Sequence, residues 1–114
     1  ILGKYGIVLL QNEILPLENF TLVGLGSNWA QNDKLEILQS ISTENTVVLA
    51  HNPDSTLRYQ EDMRSDFTLV GHTHCGQIRI PWLYKWVIPT KGNFDKGLTS
   101  EKFTDLFITC GLGE

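Results

Sequence analysis

The sequence is short of several things, and each shortage excludes a class of protein. Only two of its 114 residues are cysteine, Cys75 and Cys110. That is too few for a disulfide-stapled scaffold, and the pair reads as two free thiols in a reducing compartment, with an approach of Cys75 to Cys110 as the alternative that thiol titration decides. No apolar run approaches the ~20 residues that cross a bilayer. The opening Ile1-Leu2-Gly3-Lys4 has neither the charged flank nor the cleavage site of a secretory signal. Excess positive charge is missing too: nine Lys and Arg against thirteen Asp and Glu leave a net charge of −4, with no block of one sign. This argues against a nucleic-acid partner, whose phosphates select basic surfaces. There is no Met at position 1, and Gly111-Leu112-Gly113-Glu114 stops directly after an apolar run. Both ends are therefore expected to continue into further sequence.

What is present suffices for one small domain or a piece of a larger one: 41% of the residues are hydrophobic. Residues 5–10, 14–17 and 20–25 read as short strands joined by polar turns. Residues 31–41 show helical spacing, with Leu35, Leu38 and Ile41 on one face and Asn32 as N-cap. Residues 46–50 form an apolar run of the kind found in buried parallel strands. Pro53 suits a helix start, giving an expected helix over 54–63, and 67–70 is another short apolar strand. An apolar segment follows from Ile78 to Ile88, then a polar loop over 91–96 and a last strand over 103–109. The stretch 46–70 is a βαβ unit and the remainder hairpins, which together predict an α/β fold with mixed sheets.

All three histidines fall just past the carboxyl end of a short apolar strand: His51 after Val47-Val48-Leu49-Ala50, and His72 and His74 after Leu69-Val70-Gly71. Open α/β sheets gather their ligands at that edge. If the two strands are parallel neighbours, the imidazoles can meet. Imidazole is the usual nitrogen donor to transition metals, so metal binding explains the number, placement and spacing of the histidines together. Asn52 is open between contacting substrate phosphate and capping the helix that follows. Gln77 is open between hydrogen bonding behind the metal shell and a surface role. Arg79 reads more plainly as a solvated strand charge than as a phosphate contact. The segment Pro81-Trp82-Leu83-Tyr84-Lys85-Trp86-Val87 is aromatic enough either to pack or to meet a membrane interface.

Leu49-Ala50-His51-Asn52-Pro53-Asp54, followed by Gly71-His72-Thr73-His74-Cys75-Gly76-Gln77, resembles the calcineurin-like metallophosphoesterases. The closer likeness is to their bacterial, membrane-associated phosphoesterase branch. Val23-Gly24 before a Trp-containing loop, Asp66, Ile78-Arg79-Ile80-Pro81, Gly97-Leu98 and Gly111-Leu112-Gly113 agree with that pattern. The resemblance implies part of a four-layer αββα sandwich, with residues 1–114 as the C-terminal part of a single domain. It implies a centre of two divalent ions (Mn, Fe, Zn or similar), His51 and His72 on one and His74 on the other. It implies hydrolysis of a phosphomonoester, phosphodiester or pyrophosphate through a metal-activated water, with Asn52 and Gln77 near the substrate. A small-molecule or lipid-like phosphoester is the expected partner. A cytoplasmic location, open to peripheral association with the inner membrane, is the expected address. The family's Asp-x-His, Gly-Asp and Gly-Asn-His motifs are absent, so no catalytic acid or bridging carboxylate is retained and the chain alone is expected to be inactive. Cys75 stands where the family usually has glycine. A three-histidine single-metal hydrolase, and a non-catalytic domain that keeps the fold, are the alternatives.

Overall fold

The computed structural model of the chain describes residues 2–74, 90–91, 94 and 96–111. Its six described strands are β1 (Glu13–Pro16), β2 (Thr21–Gly24), β3 (Thr46–Ala50), β4 (Phe67–Val70), β5 (Gly97–Glu101) and β6 (Thr104–Ile108). They form one sheet in the order β1-β2-β3-β4-β6-β5. The inner four run parallel, β2 beside β3, β3 beside β4 and β4 beside β6. The outer two close the sheet as antiparallel hairpins, β1 on β2 and β5 on β6. This is the mixed α/β sheet expected from the strand–helix–strand stretch and its flanking hairpins. Among the described residues no helix is long and apolar enough to cross a membrane.

Side chains alternate across the pleat, and one face is closed. Val23, Val48, Val70, Leu106 and Ile108 are buried there, under Leu35, Leu38, Tyr59 and Met63 at one end and Phe94 at the other. The opposite face is also apolar. Leu22, Val47, Leu49, Phe67 and Leu69 stand half-buried in register with one another, and Phe107 and Leu98 continue the row while exposed. A sheet apolar on both faces is built to be covered on both.

The helices are tighter and shorter than expected. The segment read as a helix over 31–41 is a 3₁₀ helix, η2 (Leu35–Ser40), capped by Lys34 rather than Asn32. Asn32 is consumed by the preceding loop, where its N–H donates to Ser27 O and its carbonyl accepts from Asn12 Nδ2. The i, i+3 spacing of Leu35 and Leu38 buries both on a helix of about three residues per turn. The expected helix over 54–63 is η3 (Pro53–Arg58), also 3₁₀. It ends at Tyr59, whose extended backbone turns its ring into the core.

Residues 5–10 are not a strand. A first 3₁₀ turn, η1 (Leu2–Tyr5), is followed by irregular chain. The segment runs across β2 instead of pairing in the sheet, close enough that a Cβ on Gly24 would lie 2.3 Å from Leu10 Cβ. Strand β5 was missed because Gly97-Leu98-Thr99-Ser100-Glu101 has a single large apolar residue and an exposed edge position.

Candidate functional site

Strand alignment makes the site. β2, β3 and β4 are adjacent and parallel, with Gly24 opposite Leu49 and Leu49 opposite Leu69. Their three outgoing loops therefore leave the same edge side by side. The β3 loop carries His51 and the β4 loop carries His72 and His74. Backbone bonds fasten the loops to each other: Leu25 N–H donates to Leu49 O (2.9 Å), Gly71 N–H to His51 O (3.1 Å) and Thr109 N–H to Val70 O (2.8 Å).

His51 and His72 meet. Nε2 of His51 and Nδ1 of His72 lie 3.1 Å apart, and the ring planes cross at 72°. His72 and His74 both have left-handed backbone, φ 69° and 46°, which costs of order 1–3 kcal/mol per residue and collects at functional sites. The alternating turn Gly71-His72-Thr73-His74 buries Thr73, whose N–H donates to Gly71 O (2.8 Å), and leaves His74 exposed. Among the described residues no three His, Cys, Asp or Glu side chains gather closely enough to hold an ion.

Asn52 performs the cap that the sequence left open: its Oδ1 accepts from Asp54 N–H (2.8 Å) at the start of η3. Its amide nitrogen is buried without a partner, one of two such side-chain atoms among the described residues, the other being Thr46 Oγ1. An unpaired buried donor costs ~1–3 kcal/mol, so Asn52 Nδ2 stands ready for an acceptor that the described residues do not supply.

Trp29, in the β2 loop, was read in the sequence only as part of a Trp-containing loop. Its ring stands edge-on to His72, centroids 5.0 Å apart and planes at 71°. What would have singled it out is strand order: its loop leaves the sheet next to the one that carries His51.

Gln77, Cys75, Arg79 and the aromatic segment 81–87 lie outside the described residues. Cys110 is disulfide-bonded, and among the described residues no cysteine is free. This corrects the expectation of two free thiols and removes the argument it gave for a reducing compartment.

The sheet order puts the imidazoles at its carboxyl edge, where open α/β sheets gather their ligands. The chain is 34% identical to phosphodiesterase YaeI of Escherichia coli across 98% of its own length and 43% of the relative's. It is 30% identical to the uncharacterized metallophosphoesterase YkoQ of Bacillus subtilis across its full length and 45% of the relative's. It is 35% identical to the UDP-2,3-diacylglucosamine pyrophosphatase LpxG of Chlamydia muridarum across 65% of its length and 23% of the relative's. The chain spans less than half the length of these relatives. No family model and no solved structure matches it. The matches relate the chain to the bacterial metallophosphoesterases, in agreement with the calcineurin-like resemblance carried by its histidine motifs.

Proposed function

We propose that the complete protein hydrolyses a phosphoester or pyrophosphate at a two-metal centre, to which this chain contributes His51, His72 and His74. The approach of His51 to His72 carries the reading. Two nitrogen donors each ~2.0–2.1 Å from a common ion lie roughly 3–3.4 Å apart at octahedral to tetrahedral bond angles, and the two ring nitrogens are 3.1 Å apart. The two nitrogens hydrogen-bond to each other here, and a separation of that size supports their turning together onto one ion in the complete protein. His74 takes the second ion, and the carboxylates that complete the centre come from sequence outside this chain. Divalent ions bound there supply a water of lowered pKa and offset the charge on phosphorus-bound oxygens. Asn52 Nδ2, buried and unpaired, donates to a phosphate oxygen. Gln77 is assigned a supporting place near the substrate on the motif alone.

The half-buried apolar face of the sheet supports the wider architecture. Leu22, Val47, Leu49, Phe67 and Leu69 pack in the complete protein against a second sheet, making the chain the C-terminal part of one four-layer domain. A small or lipid-like phosphoester is the proposed substrate, in keeping with the names of the phosphodiesterase and pyrophosphatase relatives. Mn, Fe and Zn all suit imidazole and carboxylate donors.

The test is hydrolysis of a chromogenic phosphodiester by the complete protein, with and without Mn²⁺, alongside its metal content. Disturbing a residue that only supports a metal ligand costs ~10–100-fold. His72→Ala is expected to lose more than that and to retain less metal per chain. Full activity in His72→Ala would remove the ligand assignment.

A further inference from the structure

Trp29 is 69% exposed, although a Trp ring packed in a core or interface buries as much area as any side chain. It is exposed by construction, not by looseness. Its loop is held at both ends by Asn12, whose Oδ1 accepts from Gly26 N–H (2.9 Å) and Lys34 N–H (3.0 Å) and whose Nδ2 donates to Asn32 O (2.6 Å). Within the loop, Asn32 N–H donates to Ser27 O (3.0 Å) and Gln31 N–H to Asn28 O (2.9 Å). Asn28 Nδ2 donates to the buried carboxylate of Asp33 (3.1 Å), which Ser55 and Arg58 hold from η3. A firmly tied loop thus presents a large aromatic ring beside His72. With the planes at 71°, His72 can cover at most one face of the indole.

We propose that Trp29 determines specificity by stacking on a flat, π-bearing group of the substrate, an aryl or nucleobase-like moiety esterified to the phosphate that His51 and His72 receive. The inference rests on the proposed function for the position of that phosphate. The indole lies on the side of the pair reached from the β2 loop, so a substrate with its phosphate at the histidines can lay its organic part on the ring. Stacking of this kind is indifferent to the hydrogen-bonding pattern of the flat group. It acts equally on bound substrate and transition state, so it lowers KM without changing kcat.

Calorimetric titration of the complete, metal-loaded protein with phenylphosphonate and methylphosphonate tests this without turnover. Phenylphosphonate is expected to bind more tightly than methylphosphonate, and Trp29→Ala to weaken phenylphosphonate alone, by about tenfold for a stack of ordinary strength. Trp29→Phe is expected to keep most of the difference. With an aryl phosphodiester, Trp29→Ala raises KM by a similar factor at constant kcat. Equal weakening of both phosphonates, no weakening of either, no binding of either by the unmodified protein, or a fall in kcat with a lowered melting temperature would each overturn the proposal. The last would make Trp29 a packing residue. If phenylphosphonate binds as expected but no phosphodiester is hydrolysed, the proposed function fails and the stacking site stands. If hydrolysis proceeds and Trp29→Ala changes nothing, the reverse holds.

Discussion

Tyr59 shows how much one buried hydroxyl can decide. Its ring lies in the core beneath β2 and β3, and its hydroxyl reaches Thr68 Oγ1 at 3.5 Å, at the edge of a hydroxyl cluster formed by Ser65, Thr68 and Thr104. Burial pushes its pKa up to about 12 from 10.0. The nearby Asp33 charge adds to the rise, while the hydrogen bonds to Thr68 and Ser65 and the Arg58 charge oppose it. The folded protein therefore resists losing that proton, whereas the unfolded chain gives it up near pH 10. Stability from the neutral phenol is complete below pH 10 and drains away as pH rises toward 12, by about 2–3 kcal/mol in all. Tyr59→Phe removes the titration, so its melting temperature is expected to fall less between pH 10 and 12 than that of the unmodified protein. Parallel curves would contradict the assignment.

Among the elements, the loop from β2 to η2 depends most on a residue far away in sequence. Asn12, itself in left-handed backbone at φ 56°, makes three hydrogen bonds to that loop. Gly26 is required there because a Cβ would lie 2.1 Å from Asn32 O. Asn12→Ala leaves two backbone N–H groups and one carbonyl to find other partners. It is expected to cost about 1–3 kcal/mol, read as a lower denaturation midpoint, and to shorten hydrogen-exchange protection at Gly26 and Lys34. Unchanged protection at both amides would show that the clamp contributes nothing. The same loop explains why the helix at 31–41 was misread in extent. The apolar spacing of Leu35 and Leu38 is visible in the sequence, but the claim of Asn12 on Asn32 joins residues 20 apart and leaves no periodic trace.

For the molecule as a whole, the half-buried apolar sheet face carries the sharpest prediction. Leu69 lies on that face between Leu49 and Phe107. If nothing further covered the face, Leu69→Lys at this half-buried position would cost about 1 kcal/mol, the central value for a point substitution. If a second sheet covers it in the complete protein, the change buries a charge without a partner, and the cost is expected to be several kcal/mol. Chemical denaturation of the complete protein separates the two, since the estimates differ well beyond measurement error.

The sequence by itself determined the α/β class, the strand–helix–strand unit over 46–70, and the position of each histidine at a strand end. Those features are written in local patterns: short apolar runs, a proline after a polar cap, and glycine beside His72. Only the tertiary structure decided which strands are neighbours, and so which loops meet. Register across β2, β3 and β4 brought His51 within 3.1 Å of His72 and set Trp29 beside them. The folded chain also holds Cys110 in a disulfide and Asn52 with a buried, unpaired amide. A strand carries its own hydrophobic period along the chain, but its lateral partner is chosen by hydrogen bonds and packing with residues about twenty positions or more away, which no local pattern records.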